Sequence, residues 1–153
     1  MRPTSQIVQA AGAEAVVRFS YDAPDLGGGA HFEKTVRLAA GATRLVVDER
    51  VTFDGNDPAQ RAVTLSALQV AATDTVTTSP AFVAWNPRRT IVVSWAPAAV
   101  TQATWTRYGS NGTLSLVASS AMLRTTYALA GALERPAAQT FAAAEQRWLT
   151  EHP

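Results

Sequence analysis

Apolar and polar residues alternate with a period of two along most of this chain, the signature of strands with one buried and one exposed face. Glu14 to Tyr21 reads as a first strand, with Val17 and Phe19 among polar neighbours. The run Asp22-Ala-Pro-Asp-Leu-Gly-Gly-Gly29 then reads as a loop. Ala30 to Leu38 follows, with Ala30, Phe32, Val36 and Leu38 on one face and His31, Glu33, Thr35 and Arg37 on the other. Ala39 to Ala42 makes a turn around Gly41, and Thr43 to Phe53 returns with Leu45, Val47, Val51 and Phe53 on its apolar face. Further strands are expected at Arg61–Val70, Phe82–Trp85, Thr90–Trp95, Ala103–Tyr108, Thr113–Ala118 and Leu123–Leu129. Pro80, Pro87, Pro97 and Ser110-Asn-Gly112 separate them. From about 136 to 150 the period changes to that of a helix, opened by Pro136 and lined on one side by Phe141, Ala144 and Trp148. Together these elements predict an all-β, antiparallel β-sandwich of residues 1–153 with one C-terminal helix.

Two charges interrupt the apolar face of the long hairpin. Lys34 is in phase with Phe32, Val36 and Leu38, and Glu49 with Leu45, Val47, Val51 and Phe53. With the turn centred on Ala40-Gly41, Leu38 faces Thr43, Lys34 faces Val47 and Phe32 faces Glu49, which makes Lys34 and Glu49 diagonal neighbours. An unpaired ion entering such a layer costs several kcal/mol, so the two are expected to pair, or Lys34 to reach water along its stem. Their functional reading is a polar pair on the floor of a ligand cleft.

Composition narrows the function classes. The 13 basic and 12 acidic residues leave a formal net charge of +1, which supplies no field for nucleic acid or an anionic membrane surface. Twelve of the 13 cations are Arg, only Lys34 being Lys, and with the abundant Ala this reads as the coding bias of a GC-rich, bacterial source. No apolar stretch approaches the ~20 residues of a membrane helix, so no membrane span is expected. Met1 to Gln9 lacks the apolar core of a signal peptide, and the compartment stays open. Without Cys there is no disulfide framework, thiolate zinc site or thiol nucleophile.

The run His31-Phe-Glu-Lys-Thr-Val-Arg-Leu38 followed by Arg44-Leu-Val-Val-Asp-Glu-Arg-Val51 resembles a hairpin of the supersandwich folds. Those include the galactose-mutarotase-like domains and the C-terminal β domains of glycoside hydrolases and glucanotransferases. The matching positions are Lys34, Val36, Leu38, Leu45, Val47, Glu49, Val51 and Phe53. The likeness covers roughly 25 residues and implies a reduced supersandwich or a domain of a larger carbohydrate-active enzyme. The catalytic histidine pair of mutarotases does not carry over, because this chain has only His31, on the polar face, and His152, beside the C-terminus.

No other catalytic pattern stands out. Asp48 and Glu49 point to opposite faces and cannot act as a glycosidase pair. No G-x-S-x-G elbow is present, and Gly27-Gly28-Gly29 precedes a strand rather than the helix a phosphate cradle needs. Asp22, Asp25, Asp54 and Asp57 read as turn formers before calcium ligands. Neither cofactor nor metal is expected. Flat aromatic rings suit sugar faces, and Trp85, Trp105 and Tyr108 are the candidates, Trp95 reading as core. The expected ligand contacts are therefore Trp85, Trp105, Tyr108, Lys34 and Glu49.

Three functions follow. The first is a non-catalytic accessory domain of a carbohydrate-active or surface protein, partnered by glycan or by a parent catalytic domain. The second is an assembly domain or homo-oligomer that docks through its helix or an edge strand. The third is a small enzyme or ligand binder with a cleft at Lys34 and Glu49.

Overall fold

The computed structural model describes residues 4–9, 12–24, 29–53, 63–71, 74–78, 80–86 and 88–153. Eleven strands are present among them: β1 (Thr4–Gln9), β2 (Glu14–Ala23), β3 (Ala30–Ala39), β4 (Arg44–Phe53), β5 (Val63–Ala71), β6 (Asp74–Thr78), β7 (Ala81–Asn86), β8 (Arg89–Trp95), β9 (Val100–Tyr108), β10 (Asn111–Ala118) and β11 (Met122–Gly131). One helix, α1 (Arg135–Glu151), closes the chain. Eight strands form an antiparallel sheet in the order β1-β2-β3-β4-β11-β8-β7-β6, and three form a second in the order β5-β10-β9. The expected antiparallel sandwich with a C-terminal helix is what the chain adopts.

The two faces of the large sheet follow from the alternation. One face, carrying Val51, Phe53, Phe82, Val93, Trp95 and Leu123, packs against Leu114 and Leu116 of the small sheet. Each such large apolar side chain contributes on the order of 1.5–3 kcal/mol on burial. On the opposite face Ala81, Val83 and Val92 pack against Ala138 and Ala142 of α1, with Phe141 and Trp85 at the margin. The helix thus covers the β7–β8–β11 side of that face. Small residues at the contact let the helix lie close to the strands. Gln146 donates from Nε2 to the Pro80 carbonyl at 2.7 Å and to that of Trp95 at 3.2 Å. The packed face of α1 carries Ala138, Ala142, Glu145 and Leu149, one step round from the expected stripe of Phe141, Ala144 and Trp148. Ala144 is exposed.

Several expectations change in detail. The first strand is Thr4–Gln9 rather than Glu14–Tyr21, and Asp74–Thr78 is a further strand the alternation did not mark. Asp22 and Ala23 belong to β2 instead of the loop after it. The turn between β9 and β10 is Gly109-Ser110, with Tyr108 opposite Asn111. Gly109 takes the positive φ of +61° that a tight turn needs, so Asn111 and Gly112 are strand residues. The loop Asp54–Pro58 lies outside the described residues.

The hairpin register also differs by two. Leu38 faces Leu45, Val36 faces Val47 and Lys34 faces Glu49 directly. Ala42 N–H closes a turn onto the Ala39 carbonyl, and the connection runs on past it, because the Thr43 carbonyl accepts from Leu129 N–H of β11 instead of joining β3. Thr43 is thereby drawn out of the β3–β4 ladder. A shift of two keeps every side chain on its face, so the facial assignments stand while the partners change.

Candidate functional site

Lys34 and Glu49 do pair. Lys34 Nζ is 3.2 Å from Glu49 Oε1, with the lysine side chain 36% exposed and the glutamate 7%. The pair belongs to the face turned toward the small sheet. Tyr21 and Phe32 stack beside it at 4.7 Å. Burial pushes the Tyr21 phenol above its ordinary value, the Glu49 carboxylate pushes it further, and Lys34 pulls part of the way back. The lysine reaches water while the carboxylate stays covered, which combines the pairing and the reach to solvent expected of it.

The aromatic candidates fall in three different places. Trp105 is packed against the sandwich core, 5.0 Å from Phe82 and tilted by 35°. Trp85 lies at the edge of the helix contact, with the Arg135 guanidinium 5.8 Å from its ring centre. Tyr108 is 66% exposed at the end of β9. The five candidates therefore do not converge on one place. Trp148, read as a packing residue, is engaged by the Arg44 guanidinium at 4.2 Å and by His152, whose ring stacks on it at 4.3 Å.

The face of the large sheet that α1 leaves uncovered is where polar chemistry gathers. Register places its side chains in rows across four strands. Arg18, Thr35, Asp48 and Arg124 form one row, and Ser20, Glu33, Arg50 and Met122 the next. All of these but Arg124, together with Phe19, Lys34 and Glu49 of the alternate positions, line an open depression of about 430 Å³. A second depression of about 300 Å³, where the end of α1 meets the hairpin, is lined by Arg37, Arg44, Arg124, Trp148 and His152. Asp48 stands between the two. It accepts from Arg124 Nε at 2.6 Å and from Arg37 Nη1, and Arg124 also donates to the His152 carbonyl at 3.2 Å.

Burial pushes the Asp48 carboxyl up, but the hydrogen bonds from Arg124 and Arg37, with their charges, outweigh it and hold the group below the ordinary carboxylate value. The same contact raises Arg124. A carboxylate with a depressed folded value adds stability above its unfolded value, near 4, and that stability is lost as pH falls through the folded value. Asp48→Asn is therefore expected to lose about 1–2 kcal/mol at pH 7 and to show a shallower fall toward pH 3 than the parent. Urea denaturation at the two pH values reads both. An unchanged acid limb would mean that Asp48 carries none of it.

The rest of that face separates into satisfied and available charges. Arg44 donates to Glu145 from Nε at 2.5 Å and Nη2 at 2.7 Å. His31 Nδ1 is 2.6 Å from Asp22 Oδ1, and its Nε2 is 3.9 Å from Glu33. Glu33 and Arg50 stand opposite each other in register, yet among the described residues neither they nor Arg18 closes a hydrogen-bonded ion pair. No group of three His, Asp or Glu placed to hold a metal ion occurs among the described residues. Asp25, Asp54 and Asp57, the other loop carboxylates considered for calcium, lie outside them.

Lys34 and Glu49, expected on the floor of a cleft, line this depression, while its other residues come from β2, β3, β4 and β11 and are not joined by any local pattern. Alternation marked them as a polar face but did not say which strands were neighbours. No helix is long and apolar enough to cross a membrane among the described residues. No protein-family model matches the chain, and no curated protein or solved structure matches it.

Proposed function

We propose that this chain is a non-catalytic β-sandwich module that binds a neutral, hydroxyl-rich ligand, a glycan, in the depression on the open face of its large sheet. The observation that carries this reading is the trio Arg18, Glu33 and Arg50 around about 430 Å³ of open space. Two guanidiniums offer donors and one carboxylate offers an acceptor, all on rigid strands. A hydroxyl is both donor and acceptor and fits such a mixed array. A strongly anionic ligand meets Glu33 and Asp48 on the same surface, and a cation meets the arginines. Thr35 and Ser20 add short polar groups to the floor.

Asp48 is not fitted to serve as the acid of a glycosidase. Glycoside hydrolysis needs a carboxylic acid that keeps its proton near neutral pH, and Asp48 is held ionised by two arginines. The likeness of the Ala30–Phe53 hairpin to supersandwich domains agrees with an accessory role beside a carbohydrate-active enzyme.

Calorimetric titration against a panel of neutral oligosaccharides and soluble polysaccharides tests the reading. At least one ligand is expected to bind, and Glu33→Ala or Arg50→Ala to weaken it about tenfold, roughly 1.4 kcal/mol, with no loss of fold. No heat from any member of the panel removes the glycan reading. Binding that ignores both substitutions removes the site.

A further inference from the structure

Sheet edges are templates for pairing with another strand, and proteins blunt them with charges, prolines, bulges, short length or a covering element. Of the four edges among the described residues, three are blunted. β6 is only five residues long and carries the Asp74–Arg135 ion pair at its start, Arg135 Nη2 lying 2.7 Å from Asp74 Oδ2. β1 has a register shift between Ile7 and Gln9. β5 has one opposite Leu116 and Val117 and abuts β4 and β11 of the large sheet.

β9 differs. Among the described residues it pairs with β10 on one side only, and its register is regular from Gln102 to Tyr108, the single shift falling near its first residues. That stretch, Gln-Ala-Thr-Trp-Thr-Arg-Tyr, has no proline and no acidic residue. Its one charge, Arg107, folds back to donate from Nε to the Gly109 carbonyl at 3.0 Å. Thr104, Thr106 and Tyr108 are exposed on the face away from the core.

We infer that β9 is an assembly edge and that its partner is β9 of a second copy of this chain, paired antiparallel about a twofold axis at Trp105. The self-complementarity of the segment argues for this occupant. With the axis there, Thr104 faces the copy's Thr106, Ala103 faces Arg107 and Gln102 faces Tyr108, so no like charges meet and all seven residues pair. The two small sheets then join into one of six strands. A symmetric contact of this kind closes after two chains and does not propagate. The inference is independent of the glycan reading, since the depression lies on the far side of the large sheet.

Sedimentation equilibrium of the whole chain over a range of concentrations tests it, with charges placed at the exposed threonines. The parent is expected to be a dimer. The double substitution Thr104→Lys with Thr106→Lys, and separately Thr104→Glu with Thr106→Glu, is expected to give monomers with parental circular dichroism. Mixing the two variants is expected to restore a one-to-one dimer, because unlike charges then face each other. A parent that stays monomeric to a few hundred micromolar overturns the inference. So does a dimer that survives both substitutions, which would place the contact elsewhere, or folded monomeric variants that fail to pair on mixing.

Discussion

Arg44→Ala is expected to be among the most damaging single changes to this fold, costing about 3–5 kcal/mol. Its partner Glu145 is 3% exposed on the packed face of α1, and the guanidinium closes on both carboxylate oxygens. Removing the arginine strands a carboxylate between helix and sheet and also removes the cation from the Trp148 ring. The reverse change is milder. Arg44 keeps about a quarter of its side-chain surface exposed, so Glu145→Gln, which leaves it a neutral acceptor and a route to water, is expected to cost only about 1–2 kcal/mol. Replacing both at once, Arg44→Met with Glu145→Leu, is expected to be near neutral, because neither ion then needs solvation. Chemical denaturation of the three variants orders them. An Arg44→Ala protein as stable as Glu145→Gln would show that the carboxylate finds water or a proton without its partner.

The second large effect is expected at Gly112. Its φ is not in the left-handed region, so the backbone itself accepts any residue. What forbids a side chain is the Trp105 ring, lying over the glycine from the neighbouring strand. A Cβ there would stand 2.2 Å from the ring carbon Cζ2 and 2.5 Å from Cη2. Phe82 packs against the indole, so moving the ring disturbs the core. Gly112→Ala is expected to cost about 2–3 kcal/mol, or roughly 5–10 °C in Tm for a chain of this size. The origin of the cost is checked by repeating the change in a Trp105→Ala background. There the penalty should vanish or reverse, since alanine suits a strand better than glycine. An equal loss in both backgrounds would mean that the backbone, and not the ring, requires glycine.

These two positions show how far the chain could be read unaided. Nine of the strands and the helix followed from local periodicity, because each buries one face and so writes its own pattern. Thr4–Gln9 and Asp74–Thr78 escaped because edge strands need less apolar content, and Asp-Thr-Val-Thr-Thr carries a single apolar residue. Lys34 and Glu49 could be put on one face by phase alone. Their direct pairing depended on Thr43 bonding to Leu129, a contact across 86 positions that no local rule supplies. The same limit hid most of the lining of the depression, to which Lys34 and Glu49 belong. Arg18, Glu33 and Arg50 sit on three strands, and only the assembled sheet brings them round one opening. Threonine on both sides of Trp105 suggests a surface ring, while alternation turns it inward against Gly112.

The place of β11 in the large sheet has a consequence for how the chain is made. β1 to β4 are sequential neighbours, and so are β6 to β8; each set can pair as it leaves the ribosome. The two sets have no common strand until β11 is synthesised and enters between β4 and β8. Until then both inner edges are open, and β8, with Ile91, Val92 and Val93 in succession, presents an apolar one. Nascent chains are therefore most exposed to wrong pairing between the synthesis of β8 and that of β11. Residues 122–151 unite the sheet and lay α1 over the junction.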